Sequence, residues 1–154
     1  MGNIVFINFN SDHKDQLNTW QQKEQEKGFS GLDDFVVPKG SLLGDFLTYI
    51  VENVDDIMVH IAVDANKIVG FICTTCPTSE HFHIEIMGVN PDLRGKGYAK
   101  RLLEEFKKQA TYKFGLQRLT LNVKENNESG KRAFAKIGKL AQDQPETNYI
   151  AFEL

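Results

Sequence analysis

The chain has 154 residues, of which 41% are hydrophobic and 25% charged, and 18 basic against 21 acidic residues give a formal net charge of -3. This length and composition suit one buried core, so we expect a single domain over residues 1–154 and exclude a disordered or fibrous protein. The charge is too mild to favour nucleic acid, and the longest N-terminal apolar run, Ile4 to Ile7, is too short for a signal peptide or a membrane span. We therefore expect a cytoplasmic protein with no nucleic-acid and no membrane partner.

Hydrophobic periodicity and turn residues predict ten elements in the order β-α-α-β-β-β-α-β-α-β. The apolar, glycine-containing segment 28–41 is predicted to be a loop. In chain order the elements are a strand at 4–9, a helix capped by Ser11 or Asp12 and running to about Lys27, a helix from Ser41 over 42–51, strands at 58–63, 67–74 and 81–89, a helix at 97–112, a strand at 118–123, a helix at 128–137 and a strand at 149–154.

The strongest chemical signal is the string RGKGYA, from Arg94 to Ala99, between a predicted strand and a long amphipathic helix. A helix N-terminus presents unpaired backbone N–H groups and a partial positive charge, and glycines let an anion approach that backbone. The string lacks the Lys followed by Ser or Thr of a P-loop, and it is not the full GxGxxG fingerprint. A turn that merely connects two elements is the alternative, but the position between strand and helix favours a phosphate site.

These residues, within the wider string MGVNPDLRGKGYAKRLL at 87–103, resemble the GNAT family of N-acetyltransferases. In that family an Arg or Gln, two residues, a Gly, one residue, and a Gly or Ala bind the pyrophosphate of coenzyme A, and Arg94, Gly97 and Ala99 match this pattern. VGFI at 69–72 resembles the family's third strand, and the element order is similar over nearly the whole chain, least over 10–55. The resemblance implies an α/β (α+β) fold with a mixed, mostly antiparallel central sheet flanked by about four helices.

The resemblance also implies that the chain takes acetyl-CoA as cosubstrate and moves its acetyl group to a primary amine by direct attack in a ternary complex. The acceptor could be a small molecule, a peptide N-terminus or a lysine. Strand backbone groups would pair with the pantetheine arm, and the turn and the first helical residues would wrap the pyrophosphate. The residues implied are Met87, Gly88 and Val89 for the first role, and Arg94, Gly95, Lys96, Gly97, Tyr98, Ala99 and Lys100 for the second.

The strand at 81–89 alternates, so that one face is apolar while His81, His83 and Glu85 share the other. An amine is protonated near neutral pH, and only its free lone pair can attack a thioester, so the reaction needs a general base. We identify Glu85 as that base; a solvated strand face with ordinary polar residues is the alternative. The same three residues could bind zinc, but no nearby motif supplies further ligands, so we expect no metal.

Two positions further along the chain bear on the coenzyme. Asn127, four residues after Val123, matches an Asn that family members often place near the pantetheine, and a helix cap is the other interpretation. Many members carry a Tyr seven residues later that is thought to protonate the departing thiolate, and here that residue is Phe134. A phenylalanine ring can pack on the coenzyme but cannot donate a proton. Phe134 therefore motivates the rival hypothesis of a non-catalytic acyl-CoA binding or sensing module, and a domain that binds nothing is a third hypothesis.

The two cysteines and the chain's last strands carry weaker signals. Cys73 and Cys76 spell CxxC, which elsewhere marks redox or metal sites. Because strand positions three apart face opposite ways, we expect two reduced thiols. If the last strands present an open edge, the chain could form a homodimer.

Overall fold

In the computed structural model of the protein, the described residues are 3–27, 41–93, 95–126, 128–142, 144–145 and 149–154. Among these residues, two short 3-10 helices lie at Ser11–His13 and Pro91–Leu93. The α-helices are α1 (Lys14–Lys27), α2 (Leu43–Asn53), α3 (Tyr98–Phe114) and α4 (Glu128–Ala135). The strands are β1 (Val5–Asn8), β2 (Ile57–Asp64), β3 (Lys67–Thr78), β4 (His81–Val89), β5 (Arg118–Lys124), β6 (Lys139–Leu140) and β7 (Tyr149–Glu153).

The strands form one mostly antiparallel, seven-stranded sheet in the order β1-β2-β3-β4-β5-β7-β6. Strand β1 is antiparallel to β2, and β7 is antiparallel to both β5 and β6. Strands β4 and β5 run parallel, with register partners from His81↔Arg118 to Ile84↔Leu121. A mixed sheet with four helices confirms the predicted fold class.

Three local predictions differ from the observed elements. Strand β6 was not expected, because its two residues are too few to show alternation. Strand β3 extends to Thr78 instead of ending at Thr74. The prediction of Ser11 or Asp12 as the first helix cap is wrong: the side chain of Asn10 accepts a bond from the Asp12 N–H at 2.8 Å and caps the first 3-10 helix. The predicted loop falls almost wholly on residues 28–40, which lie outside the described residues.

Contacts divide the chain into two compact units, and the first comprises Met1–Cys73 and Ile86–Tyr98. Helices α1 and α2 approach each other closely at Gly44, where an added Cβ would lie 2.1 Å from the carbonyl oxygen of Lys14. The core of this unit consists of buried apolar side chains from both helices, from β2 to β4 and from the residue after β1: Phe9, Leu17, Trp20, Leu43, Leu47, Val59, Ile61, Ile68, Phe71, Cys73 and Ile86.

The second unit comprises Thr74–Glu85 and Ala99–Leu154. The apolar residues of α3 recur at helical spacing, and the face predicted to be buried is buried: Leu102, Leu103 and Phe106, with Ala110. The strands of this unit also bury apolar side chains, among them Phe82, Ile84, Leu119, Leu121 and Phe152. The ring of Phe82 lies 5.7 Å from that of Phe114 at the end of α3. The apolar face of β4 is thereby fixed, and its polar face points the other way.

Candidate functional site

Strand β4 has the two faces that its alternation predicts. Phe82 and Ile84 are buried, His81 and His83 are half-buried, and Glu85 is exposed. The hydroxyl of Thr75 on β3 donates a hydrogen bond of 2.9 Å to Oε1 of Glu85. Glu85 is therefore both accessible and held by a neighbouring strand, which is the arrangement that an acceptor of protons from a substrate requires.

The two histidines of β4 both contact one threonine of β5. Nε2 of His81 and Nδ1 of His83 each lie 2.7 Å from Oγ1 of Thr120. Thr120 is the parallel-register partner of His83, and it is only 4% exposed. Beside this group, Nε of Arg118 donates to Oε1 of Glu153.

Both imidazoles are held in their neutral form more strongly than a histidine in water. Burial lowers the pKa of His81, and the charge of Arg118 and the neighbouring His83 lower it further, while Glu153 acts in the opposite direction. Burial also lowers the pKa of His83, against the raising effect of Glu85. These histidines therefore keep a nitrogen lone pair at neutral pH.

The stability of the protein is expected to fall between pH 7 and pH 5 because of these two histidines. In the unfolded chain a histidine has a pKa near its ordinary value of about 6.5, and in the folded protein the pKa is lower. As the pH falls below 6.5 the unfolded state binds more protons than the folded state, so stability is lost, and because both rings are partly exposed, solvent screening keeps this loss small. Thermal melts should show a decline of the melting temperature of a few degrees, and a variant with both His81→Gln and His83→Gln should show a flatter dependence. An equally steep decline in that variant would contradict the assignment.

The end of β4 is tied down by Asn90, a buried residue that sequence reasoning missed. Its side-chain amide donates to the carbonyl of Ile68 at 3.0 Å, and its backbone N–H donates to the carbonyl of Val69 at 2.9 Å. Its side-chain oxygen accepts a bond of 3.0 Å from the backbone N–H of Asp92. The Asn-Pro pair at 90–91 was the available signal, since it favours a turn. Asn90 thus fixes where the strand stops and the glycine turn begins.

Both glycines of the turn have a backbone conformation that favours glycine. Gly95 and Gly97 have φ of 75° and 79°, in the left-handed region that favours glycine. A Cβ built on either would meet no atom of the described residues within 4 Å, so these residues leave open space beside both glycines. Glycine is therefore required here by backbone conformation, and the space beside the turn is available to a ligand.

Helix α3 begins immediately after this turn, and its first turn carries no acidic residue. Lys96 and Lys100 are exposed, and Tyr98 and Arg101 are half-buried. Lys100 forms an ion pair of 3.8 Å with Glu104, one helical turn further on. The segment from Gly95 through Ala99 to Lys100 therefore combines a helix N-terminus with nearby positive charge, which suits an anion. Arg94 lies outside the described residues.

Gly88, between Met87 and Val89, has a structural reason to be glycine. A Cβ added there would lie 2.4 Å from Cε1 of Phe71. Phe71 is fully buried, and its ring stands 6.3 Å from that of Trp20. The close approach of this ring to the strand backbone therefore demands glycine, whether or not Gly88 also contacts a coenzyme.

Replacing Gly88 by Ala is expected to destabilise the protein by about 1–3 kcal/mol, because the added methyl group overpacks a core in which Phe71 cannot retreat. The midpoint of urea unfolding should fall accordingly with an unchanged slope. An unchanged midpoint would mean that the Phe71 ring has room to move.

Phe134 of α4 packs against the strand below it. Its ring lies 6.2 Å from the ring of Phe152 on β7, at an interplanar angle of 48°. Phe134 is half-buried, so part of its ring remains exposed. Asn127, which precedes α4, lies outside the described residues.

Within the described residues, no three His, Cys, Asp or Glu side chains form a group that could hold a metal ion. Neither cysteine is in a disulfide: Cys73 is buried and Cys76 half-buried. In the same part of the chain, no helix combines the length and the apolar character that crossing a bilayer requires.

The fold and the turn define an α/β protein whose central strand leads into a glycine turn and the start of a helix. The sequence profile of the Acetyltransferase (GNAT) family matches residues 14–138. The chain therefore belongs to the GNAT family, which confirms the resemblance read from residues 87–103. Among curated proteins, none matches its sequence.

Solved structures of acetyltransferases share this fold. The PaiA N-acetyltransferase of Thermoplasma acidophilum, in complex with coenzyme A, is similar with a TM-score of 0.68 and 16% identity over 98% of each chain. PseH of Campylobacter jejuni, in complex with acetyl coenzyme A, has a TM-score of 0.67 and 14% identity over 99% of this chain and 98% of its own. The ribosomal-protein-S5-alanine acetyltransferase of Vibrio fischeri has a TM-score of 0.68 and 16% identity over 100% of this chain and 93% of its own.

Proposed function

We propose that the protein transfers an acetyl group from acetyl-CoA to a primary amine by direct attack in a ternary complex. Membership of the GNAT family supports acetyl transfer. The proposal rests on one observation: an exposed carboxylate on β4 is followed, a few residues further along the chain, by an open glycine turn at the start of α3. The first can accept a proton and the second can hold a phosphate anion.

On the coenzyme side, the pyrophosphate would bind the backbone from Arg94 to Lys100. The left-handed conformations of Gly95 and Gly97 and the open space beside them support this role. The backbone of Met87 to Val89 would pair with the pantetheine arm, and Asn127 and the exposed part of Phe134 would contact it. The described parallel pairing of β4 with β5 ends at Ile84, while β4 continues to Val89. This supports a strand end whose backbone groups bind a ligand. A backbone N–H there would stabilise the oxyanion that forms when the amine attacks.

On the amine side, Glu85 would remove the proton from the acceptor ammonium, directly or through water. The Thr75 hydroxyl bond to Oε1 orients the carboxylate and leaves Oε2 as its other acceptor atom. Removal of the proton frees the nitrogen lone pair to attack the thioester carbonyl, and the thiolate of coenzyme A then leaves. After the attack the nitrogen carries one excess proton, and because Phe134 has no hydroxyl to serve as an acid, this proton would pass through water to the departing thiolate.

The alternative function is a non-catalytic acyl-CoA binding or sensing module. The specific observation that favours it is Phe134, which packs on Phe152 where many relatives have a proton-donating Tyr. A thiolate is a fair leaving group, so acetyl transfer remains our first proposal.

We also propose that residues 1–154 form one domain, which is supported by the continuity of the seven-stranded sheet and by the two units sharing β3 and β4.

The experiment that tests the function measures release of free thiol from acetyl-CoA across a panel of small amines, peptides with free N-termini and lysine peptides. Calorimetry follows coenzyme A binding in parallel. We expect tight binding and thiol release with one class of amine. Tight binding without release from any amine would favour the sensing module, and absence of binding would remove both proposals.

A further inference from the structure

Two histidines of β4 share a single threonine hydroxyl on β5. The distances of 2.7 Å from Thr120 Oγ1 to His81 Nε2 and to His83 Nδ1 are those of good hydrogen bonds. Thr120 is nearly inaccessible to solvent, at 4% exposure. The roles assigned above to Glu85 and to the glycine turn do not explain why two histidines share this buried hydroxyl.

The number of hydrogen atoms that these three groups can donate determines the direction of the hydrogen bonds between them. A hydroxyl has one hydrogen to donate, and a neutral imidazole has one N–H and one nitrogen lone pair. Thr120 can therefore donate to only one of the two rings, and the other ring must donate to Thr120. The result is a continuous chain of hydrogen bonds from one imidazole, through the hydroxyl, to the other.

The charged groups around these three hydrogen-bonded residues keep both imidazoles neutral and able to accept a proton. The groups that act on His81 are Arg118, His83 and Glu153, and the group that acts on His83 is Glu85. Burial and Arg118 disfavour protonation, and the two carboxylates favour it. A proton that binds either imidazole is therefore attracted by Glu85 and Glu153. It is not retained, since both rings release it readily near neutral pH.

We propose that His83, Thr120 and His81 form a proton relay that carries away the proton which Glu85 removes from the acceptor amine. The proposal rests on the proposed function. Glu85 is the catalytic residue in it, and the three others are positioning residues that act through Glu85. Alternate positions on one strand face lie roughly 6.6 Å apart, and in this proposal one water molecule spans the carboxyl of Glu85 and the His83 ring.

Each step of the relay breaks one bond to hydrogen and forms one. The O–H of protonated Glu85 breaks as Nε2 of His83 gains a proton through the bridging water, and Nδ1 of His83 gives its proton to Oγ1 of Thr120. The Thr120 hydroxyl gives its own proton to Nε2 of His81, and Nδ1 of His81 releases one to bulk water. Glu85 is again a carboxylate, and the two imidazoles exchange tautomers through solvent before the next turnover.

His81 is suited to be the outer end of the relay because of its position in the amino-acid sequence. It is the first residue of β4, directly after the exposed turn residues Ser79 and Glu80. His83 is two residues further into the strand, on the side of Glu85. The order of the three groups therefore runs from the base toward the exposed turn.

The first test replaces Thr120 by Val, which keeps the shape of the side chain and removes the hydroxyl. In weak buffer we expect kcat to fall roughly tenfold while KM for both substrates is unchanged, and added imidazole should restore the rate because a mobile base then takes the proton from His83. Thr120→Ser keeps the hydroxyl and should retain the rate. Thr74→Val is the matched control, since Thr74 is fully buried in β3 and its hydroxyl has no hydrogen-bond partner among the described residues.

The second test observes the imidazoles directly, without any acetyl transfer. NMR signals of the His81 and His83 ring nitrogens should move in Thr120→Val and stay in place in Thr74→Val. If either histidine is unaffected by loss of the Thr120 hydroxyl, the relay does not exist. Thiol release that Thr120→Val leaves unchanged, or a loss that imidazole does not relieve, overturns the relay and leaves the proposed function standing. If the unaltered protein releases no thiol with any amine, the proposed function fails and the relay with it.

Discussion

Replacing Glu85 by Gln is expected to lower kcat at least about 100-fold, because removal of a positioned general base typically costs a factor of about 10²–10⁴. Glutamine keeps the size of the side chain and can still accept the hydrogen bond from Thr75, but it cannot take a proton from an ammonium. Affinity for coenzyme A should be unchanged, since the side chain is assigned to the amine and not to the coenzyme.

The pH dependence distinguishes a lost base from a disturbed fold. As the pH rises toward the pKa of the acceptor amine, more of the amine is already deprotonated, and the rates of the variant and the unaltered protein should converge. A merely damaged site would lose the same factor at every pH. Glu80→Gln is the matched control, because Glu80 is an exposed carboxylate in the turn that precedes β4. Equal turnover of Glu85→Gln and the unaltered protein across the whole pH range, with a true acceptor, would contradict the assignment.

The elements around the site could be predicted where their pattern is local. Strand β4 was predicted with its observed bounds, His81 to Val89, because polar and apolar residues alternate from His81 to Ile86 and turn residues bound the segment. The buried face of α3 could be predicted for the same reason, since the helical spacing of its apolar residues is visible within one short segment of sequence.

The contacts across strands could not be predicted in the same way. Thr75 reaches Glu85 because β3 continues past Thr74, although Pro77 and the surrounding polar residues break the apolar pattern. Thr120 lies 37 positions from His83 in the chain, and their contact depends on the parallel register of β4 and β5. No property of either residue specifies that register, which is set by the packing of the apolar faces. The residues that orient the base and the histidines were therefore visible only in the folded chain.

Replacing Gly97 by Val is expected to weaken coenzyme A binding at least about tenfold, which corresponds to about 1.4 kcal/mol of binding free energy. Gly97 has a φ of 79°, and a side chain in this region costs about 1–2 kcal/mol in the free protein. The branched side chain would also project into the open space beside the turn, where the pyrophosphate is proposed to lie. Calorimetric titration with coenzyme A measures the loss directly.

Gly115 supplies a control with the same backbone strain at a different place. It follows α3, has a φ of 67°, and likewise has no atom within 4 Å of an added Cβ. Gly115→Val should therefore lose a similar amount of stability in urea unfolding, since both substitutions force a branched residue into the left-handed region. Only Gly97→Val should lose coenzyme affinity, because only its side chain enters the proposed phosphate site. Equal affinity of the two variants for coenzyme A would show that the turn does not bind the pyrophosphate, even if acetyl transfer itself is observed.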